Sequence, residues 1–158
     1  MKVELRKAGE SILYSGEMII MRDAAQKRLS AYEKCPLDLK GKIVFYAGPA
    51  KTFPGDAIGA IGPTTSARMD CYLEMLFKFG VCATVGKGRR SKIVADLCQF
   101  YHGVYLIAPS GCAAALSKCV IRHEVLLFED LQSEAIQRIE VKDFPLVVAV
   151  DTNGSQLF

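Results

Sequence analysis

Hydroxyl and cationic side chains are concentrated in the segment GPTTSARMD, residues 62–70. Gly62 and Pro63 interrupt the preceding loop, and the three hydroxyl residues that follow are typical of a helix N-terminus. Apolar spacing further along predicts a helix that starts at Thr64. In such a helix Thr64 and Arg68 share one face, where a hydroxyl, a guanidinium and free backbone N–H groups would meet. This chemistry suits a carboxylate or a phosphate, although an ordinary helix cap has the same composition.

Two further cationic side chains follow predicted strands. Arg22 comes after the apolar run EMIIM and directly before a predicted helix, in which Asp23 and Gln26 would form a capping box. Lys87 lies between two glycines after the apolar run VCATV, and flanking glycines allow the backbone to approach a ligand closely. A salt-bridged surface arginine and a solvated turn are the alternatives at these two positions. The glycine spacing matches neither a phosphate-binding loop nor a dinucleotide fingerprint.

The two arginines, the lysine and Thr64 are all predicted to lie at strand–helix junctions, where α/β proteins build ligand sites. A guanidinium binds a carboxylate through two parallel hydrogen bonds. Two arginines and one lysine therefore suit a ligand with two carboxylates. We expect Arg22, Thr64, Arg68 and Lys87 to converge on one open cleft, with their positive charges unmatched by acidic side chains until an anion binds.

Strand and helix patterns alternate in the middle of the chain, and predicted strands follow one another directly at both ends. This order predicts an α/β fold with a mixed central sheet flanked by helices. A length of 158 residues predicts a single domain, residues 1–158. The predicted strands are 11–14, 17–21, 42–47, 81–85, 104–108, 120–128, 136–141 and 146–150, and the predicted helices are 23–33, 64–79, 91–101 and 111–117.

Composition narrows the class of protein. Hydrophobic residues make up 51% of the chain and the net charge is +3. This composition predicts an ordered protein, and the high apolar content predicts that some apolar side chains face a partner subunit. The basic cluster KGRRSK lacks interleaved aromatic residues, so nucleic acid is not an expected partner. The sequence contains no apolar run of membrane-spanning length and begins with no signal or transit peptide. We therefore expect a cytoplasmic protein that does not bind membranes.

Six cysteines and two histidines are the candidate metal ligands. No two cysteines form a CxxC pair, and the histidines do not stand at zinc-finger spacing from them. Several cysteines lie within apolar runs, which predicts reduced and mostly buried thiols. The chain is therefore not expected to bind a metal or an iron–sulfur cluster by itself.

Four segments, in order, resemble one protein family: MIIMRDAAQKRL, IVFYAGPAK, GPTTSARMD and GKG. They resemble the C-terminal domain or β subunit of the class I, iron–sulfur-dependent fumarate hydratases and L-tartrate dehydratases, over about residues 5–151. The resemblance implies a swivelling β/β/α domain and catalysis shared with a larger α subunit, whose [4Fe–4S] cluster binds the substrate through one iron. Because this sequence contains no such α domain, it resembles a free-standing β subunit of a hetero-oligomer.

The resemblance also implies roles for individual residues. Arg22, Arg68 and Lys87 would bind a C4 dicarboxylate, and Thr64 corresponds to the residue proposed as catalytic base. A threonine hydroxyl is a weak base at neutral pH, so neighbouring cations and helix N–H groups would have to stabilise its alkoxide. Family members usually carry histidine where this chain has Gln26, and glutamine cannot carry a proton. The implied reaction hydrates or dehydrates a C4 dicarboxylate, fumarate to malate or tartrate to oxaloacetate.

A second hypothesis belongs to a different functional class. A stand-alone, non-catalytic anion-binding module, regulatory or scaffolding, would use the same arginines and lysine and would need no metal ligands. A cluster-bearing α partner distinguishes the two hypotheses, because only the hydro-lyase requires one.

Overall fold

A six-stranded mixed sheet forms the centre of the protein, whose computed structural model describes residues 2–158. Strands β1 to β4 are parallel neighbours in chain order. Strand β6 runs antiparallel to both β4 and β1 and so closes five strands into a barrel, while β5 pairs with β6 outside it. The strands are β1 Ser11–Ile20, β2 Ile43–Phe45, β3 Ala83–Gly86, β4 Val104–Ile107, β5 Val120–Leu127 and β6 Ile136–Val150.

Helices cover the outside of this sheet. They are α1 Asp23–Leu29, α2 Asp70–Lys78, α3 Lys92–Tyr101 and α4 Ala113–Ser117, with 3-10 turns at Val3–Leu5, Ser66–Met69 and Glu129–Glu134. The barrel interior is apolar, and Phe45 and Phe144 meet there edge to face with ring centroids 5.6 Å apart. Separate apolar clusters lie beneath the helices. The predicted mixed α/β architecture with a helix-flanked sheet is confirmed, whereas its closure into a barrel was not predicted.

Parallel strands place their carboxyl ends on the same side of a sheet, and ligand sites of α/β folds form there. Arg22 follows β1 and Lys87 follows β3 at this side, which we call the carboxyl edge. The long loop after β2 returns to the same edge through a bridge between Ala47 and Pro63. The fold therefore gathers three segments that are distant in sequence.

Two predicted breaks between strands are wrong. The predicted turn at Ser15–Gly16 is a β-bulge, because the register of β1 on β6 shifts there while pairing continues on both sides. The predicted strands 136–141 and 146–150 are one strand, β6. Its length reflects its position, because its first half pairs with β5 and β1 and its second half with β1 and β4.

The cysteines are less buried than predicted. Cys98 alone of the six is fully buried, Cys71 is exposed and the others are half-buried. No disulfide joins any of them within residues 2–158. Over the same residues, no helix has the length and apolar character needed to cross a membrane.

Candidate functional site

Arg22 follows β1, which ends at Ile20, and is the N-cap residue of α1. Its guanidinium lies against Gly48, where a Cβ atom would stand 2.6 Å from Nη1. Glycine at position 48 therefore leaves the space that this guanidinium occupies. The Nε atom is buried and has no hydrogen-bond partner, although Glu134 Oε1 lies 3.8 Å away. Arg22 thus has an unused hydrogen-bond donor at the carboxyl edge.

Thr64 does not lie in a helix, so the prediction of a helix beginning there is wrong. A 3-10 turn begins at Ser66 and α2 at Asp70. The Thr64 N–H donates to the Tyr46 carbonyl at 2.7 Å, and the Thr64 carbonyl accepts from Lys87 N–H at 3.2 Å. Because pairing with the strand ends satisfies these backbone groups, the segment is extended. The predicted shared helical face of Thr64 and Arg68 is therefore absent.

Lys87 is joined to the threonine segment through the backbone. Thr65 and Lys87 form a parallel bridge, and Ser66 N–H donates to the Lys87 carbonyl at 3.0 Å. Gly86 permits this approach, because a Cβ atom there would lie 1.9 Å from Ser66 Oγ. Thr64 and Lys87 are therefore fixed next to one another, and both side chains are half-buried.

The sequence analysis missed a buried arginine three residues after Lys87. Arg90 donates to Asp70 at 2.6 Å and to Thr84 Oγ1 at 3.1 Å, and its side chain is 1% exposed. Its guanidinium lies 5.3 Å from the ring centre of Tyr46 and 4.9 Å from that of Tyr105. We call this cluster the Arg90 hub. It ties the loop after β3 to the start of α2.

Tyr105 extends the hub to the site segments. Its hydroxyl donates to the Gly88 carbonyl at 2.8 Å, and its oxygen lies 3.0 Å from Ser66 Oγ. Burial raises the pKa of Tyr105 to about 12, so the hydroxyl remains a hydrogen-bond donor at neutral pH. The hub therefore holds both chain segments that carry Thr64 and Lys87.

Arg68 forms a two-point ion pair with Asp23. Its Nε and Nη2 atoms lie 2.9 Å and 3.2 Å from the two carboxylate oxygens. This hydrogen-bonded pairing holds the pKa of Asp23 below its usual value. The predicted capping box is wrong, because no side chain caps α1 and Gln26 donates instead to the Met21 carbonyl.

The four predicted residues form two groups at the carboxyl edge: Arg22 and Arg68 both lie next to Asp23, and Thr64 is hydrogen-bonded to Lys87 through the backbone. Arg22 lies next to Asp23 in the chain, and Asp23 binds Arg68. Glu134 lies near Arg22 and accepts from Ala24 N–H at 3.5 Å. The expectation of positive charges without matching acids is therefore wrong. The edge carries three cations, Arg22, Arg68 and Lys87, and the carboxylates beside the two arginines are Asp23 and Glu134. The cations therefore leave an excess of positive charge, which attracts anions.

For this chain to bind a metal ion or an iron–sulfur cluster by itself, several of its side chains would have to lie close enough together to act as ligands. Within residues 2–158, no group of three or more histidine, cysteine, aspartate or glutamate side chains could hold a metal ion. The side chains of these residues therefore do not fit an iron–sulfur cluster.

The sequence profile of the family described as "Fumarase C-terminus" matches residues 1–158. The chain belongs to this family. Among relatives of the fumarase C-terminus domain, "Fumarate hydratase 2" of Leishmania major is 38% identical over 156 residues, and "Fumarate hydratase class I, anaerobic" of Escherichia coli is 39% identical over 150 residues. These alignments cover 95% and 91% of this chain but 28% and 27% of the relatives. The chain thus spans little more than a quarter of each hydratase.

A shorter relative matches along most of its own length. "Putative L(+)-tartrate dehydratase subunit beta" of Methanocaldococcus jannaschii is 37% identical over 166 residues. That alignment covers 99% of this chain and 85% of the relative. The fumarase C-terminus domain therefore occurs both within longer hydratases and as most of a named β subunit.

Proposed function

We propose that this protein is the β subunit of an iron–sulfur hydro-lyase that reversibly hydrates or dehydrates a C4 dicarboxylate. Fumarate to malate and tartrate to oxaloacetate are the candidate conversions, and the cytoplasm is the proposed compartment. The observation that carries the proposal is the set of cations at the carboxyl edge, where Lys87 is hydrogen-bonded through its backbone to the half-buried Thr64, and Arg68 is paired with Asp23 beside Arg22. Supporting it, a named β subunit of a tartrate dehydratase is similar to nearly the whole chain.

Each residue has a distinct proposed role. Arg22, whose side chain is 30% exposed, and Arg68, through the N–H groups that Asp23 leaves open, bind substrate carboxylates. Lys87 adds a third positive contact. Thr64 holds the proton exchanged with the substrate carbon, and the nearby cations stabilise its deprotonated oxygen. Since Thr64 lies outside the helix, this stabilisation comes from side-chain charge and not from helix N–H groups.

The proposal places the [4Fe–4S] cluster on a separate α subunit, because the side chains of residues 2–158 form no ligand set for it. When bound there, the cluster supplies a Lewis acid for the substrate. The swivelling β/β/α arrangement is likewise part of the proposal. It predicts that the β subunit turns relative to the α subunit when substrate binds, which small-angle X-ray scattering with and without substrate measures.

The deciding experiment is co-expression with the α subunit, anaerobic cluster reconstitution, and parallel assays with fumarate and L-tartrate. Thr64→Ala should lower kcat at least about a hundredfold with little change in KM, the pattern expected for a proton-transfer residue. Arg68→Ala should raise KM and also slow turnover, because a charge-assisted contact contributes about 1.5–3 kcal/mol. Thr65→Ala is the matched control, since it removes the adjacent exposed hydroxyl, and its activity should stay within a factor of a few.

Other outcomes separate the alternatives. Turnover of fumarate by this chain alone, without metal, would overturn the two-subunit proposal. A complex that binds dicarboxylates without converting them would support the non-catalytic anion-binding module. If Thr64→Ala, like Thr65→Ala, keeps kcat within a factor of a few of wild type, the base is another residue.

A further inference from the structure

The two arginines of the site differ in how their acidic neighbours hold them. Glu134 approaches Arg22 Nε only to 3.8 Å and makes no hydrogen bond to it. Asp23 instead binds Arg68 at two points, at 2.9 Å and 3.2 Å. The Arg68 side chain is 50% exposed, and a free arginine in that setting samples many rotamers. Two parallel hydrogen bonds fix both the position and the plane of a guanidinium.

This pairing leaves part of the Arg68 guanidinium available. A guanidinium carries five N–H donors in one plane, and Asp23 engages Nε and Nη2 only. The Nη1 donors and the second Nη2 donor are not used in the Asp23 pair. A second carboxylate can therefore bind at the far end of the fork while Asp23 remains in place.

We propose that Asp23 is a positioning residue for the reaction, which fixes the guanidinium plane of Arg68 toward one substrate carboxylate. Asp23 does not contact substrate in this arrangement. The inference rests on the proposed function, since Arg68 must bind substrate for its orientation to matter. Asp23 is well placed for the role because it is the first residue of α1, directly after Arg22. The start of α1 thus carries Arg22 and also the carboxylate that binds Arg68.

The chain provides a matched control on the same helix. Arg28 of α1 pairs with Asp130 at 2.7 Å and 2.8 Å, again with two points of contact and with exposed side chains. Arg28 lies over the Phe128 ring, and neither member of this pair belongs to the predicted site. Asp130→Asn therefore removes a similar ion pair without touching the proposed function.

The first test uses the reconstituted complex with (S)-malate and with L-tartrate. Asp23→Asn should raise KM for the substrate that wild type converts by about tenfold, the equivalent of one well-oriented ionic contact, with a smaller change in kcat. Asp130→Asn should leave KM and kcat as in wild type. Asp23→Glu keeps the charge and should restore part of the lost affinity. In an Arg68→Ala background, Asp23→Asn should have no further effect on KM.

A second readout is independent of the cluster and the partner. In the full chain alone, the Arg68 Nε–H should give a sharp ¹⁵N–¹H cross-peak at neutral pH, because Asp23 shields it from exchange. Asp23→Asn should broaden that peak, and Asp130→Asn should leave it unchanged. An Arg68 peak that is equally sharp in wild type and Asp23→Asn would overturn the positioning role.

The outcomes distinguish this inference from the proposed function. If wild-type complex converts neither substrate, the proposed function fails and the Arg68 cross-peak still reports on orientation. If wild type is active but Asp23→Asn has the KM of wild type, the positioning role is wrong and the proposed function stands. Additive effects of Asp23→Asn and Arg68→Ala would also overturn it, because Asp23 would then act independently of Arg68.

Discussion

Two arginine clusters lie near the same edge of the sheet, and they differ in burial and in unused hydrogen-bonding capacity. In the Arg90 hub the guanidinium is 1% exposed, enclosed by two tyrosine rings and bound to Asp70 and Thr84. At the site, Arg22 and Arg68 are 30% and 50% exposed, and Arg22 Nε has no hydrogen-bond partner. A buried charge needs partners to be stable, whereas a half-exposed one remains available to a ligand. The first cluster supports the fold, and the second is suited to binding.

The largest expected effect comes from breaking the hub. Arg90→Met should lower the free energy of unfolding by about 3–5 kcal/mol, because the nearly buried Asp70 carboxylate loses its cation. Urea denaturation measures this change. Arg89→Met is the control, since Arg89 is exposed and such substitutions usually change stability by less than about 0.5 kcal/mol. Equal effects of the two variants would contradict the structural role of the hub.

The hub also shows where sequence reasoning reached its limit. Arg89 and Arg90 are adjacent in one basic cluster, and nothing local distinguishes the exposed residue from the buried one. Arg90 is buried because Asp70, twenty positions earlier, lies beside it in the folded chain. Arg22 and Lys87 were predicted at strand ends because apolar runs precede them. Thr64 was misplaced because its hydroxyl neighbours resemble a cap, whereas pairing with Tyr46 and Lys87 determines its conformation.

A second test compares two glycines that make room for different clusters. Gly86→Ala places a methyl group 1.9 Å from Ser66 Oγ, and overpacking of this kind costs about 1–3 kcal/mol of stability. Gly48→Ala meets the flexible end of Arg22 at 2.6 Å and the Ser133 carbonyl at 3.3 Å, so it should cost less stability than Gly86→Ala but raise KM in the complex. Thermal unfolding and steady-state kinetics measure the two effects. A Gly48→Ala variant with wild-type KM would show that the Arg22 position is unimportant.

A smaller effect on the free energy of unfolding is expected at alkaline pH, from Tyr105 in the hub. The pKa of Tyr105 is about 12 in the folded chain and about 10 when unfolded. Because the folded value is higher, the contribution of Tyr105 to stability is complete below about pH 10 and is lost as the pH rises toward 12. Tyr105→Phe should remove this part of the alkaline dependence and cost about 1 kcal/mol at neutral pH. The pKa values of Tyr14, Cys82 and Cys98 are also raised to about 12 by burial, so these groups should keep part of the alkaline dependence in the variant.

The smallest effect on the free energy of unfolding is expected at acid pH, from the pair of Asp23 and Arg68 at the site. Pairing with Arg68 holds the pKa of Asp23 below its usual value. Its contribution to stability is therefore present above the unfolded pKa of about 4 and lost as the pH falls through the folded value. Solvent screening limits this contribution to less than about 1 kcal/mol. The difference in unfolding free energy between wild type and Asp23→Asn should thus vanish on acidification. A difference that stays constant with pH would show that the Asp23 carboxylate does not stabilise the fold through its charge.

The long strand β6 has a consequence for the order of folding. It pairs with β1 at positions more than a hundred residues earlier in the chain, such as Ser11 with Val147. Contacts of such long sequence separation form late and slow the folding rate. During synthesis the ribosome must add residues up to β6 before the barrel can close. Until then β1 and β4 each lack a neighbour, so a nascent chain that stalls before β6 exposes two unpaired strand edges and is prone to aggregation.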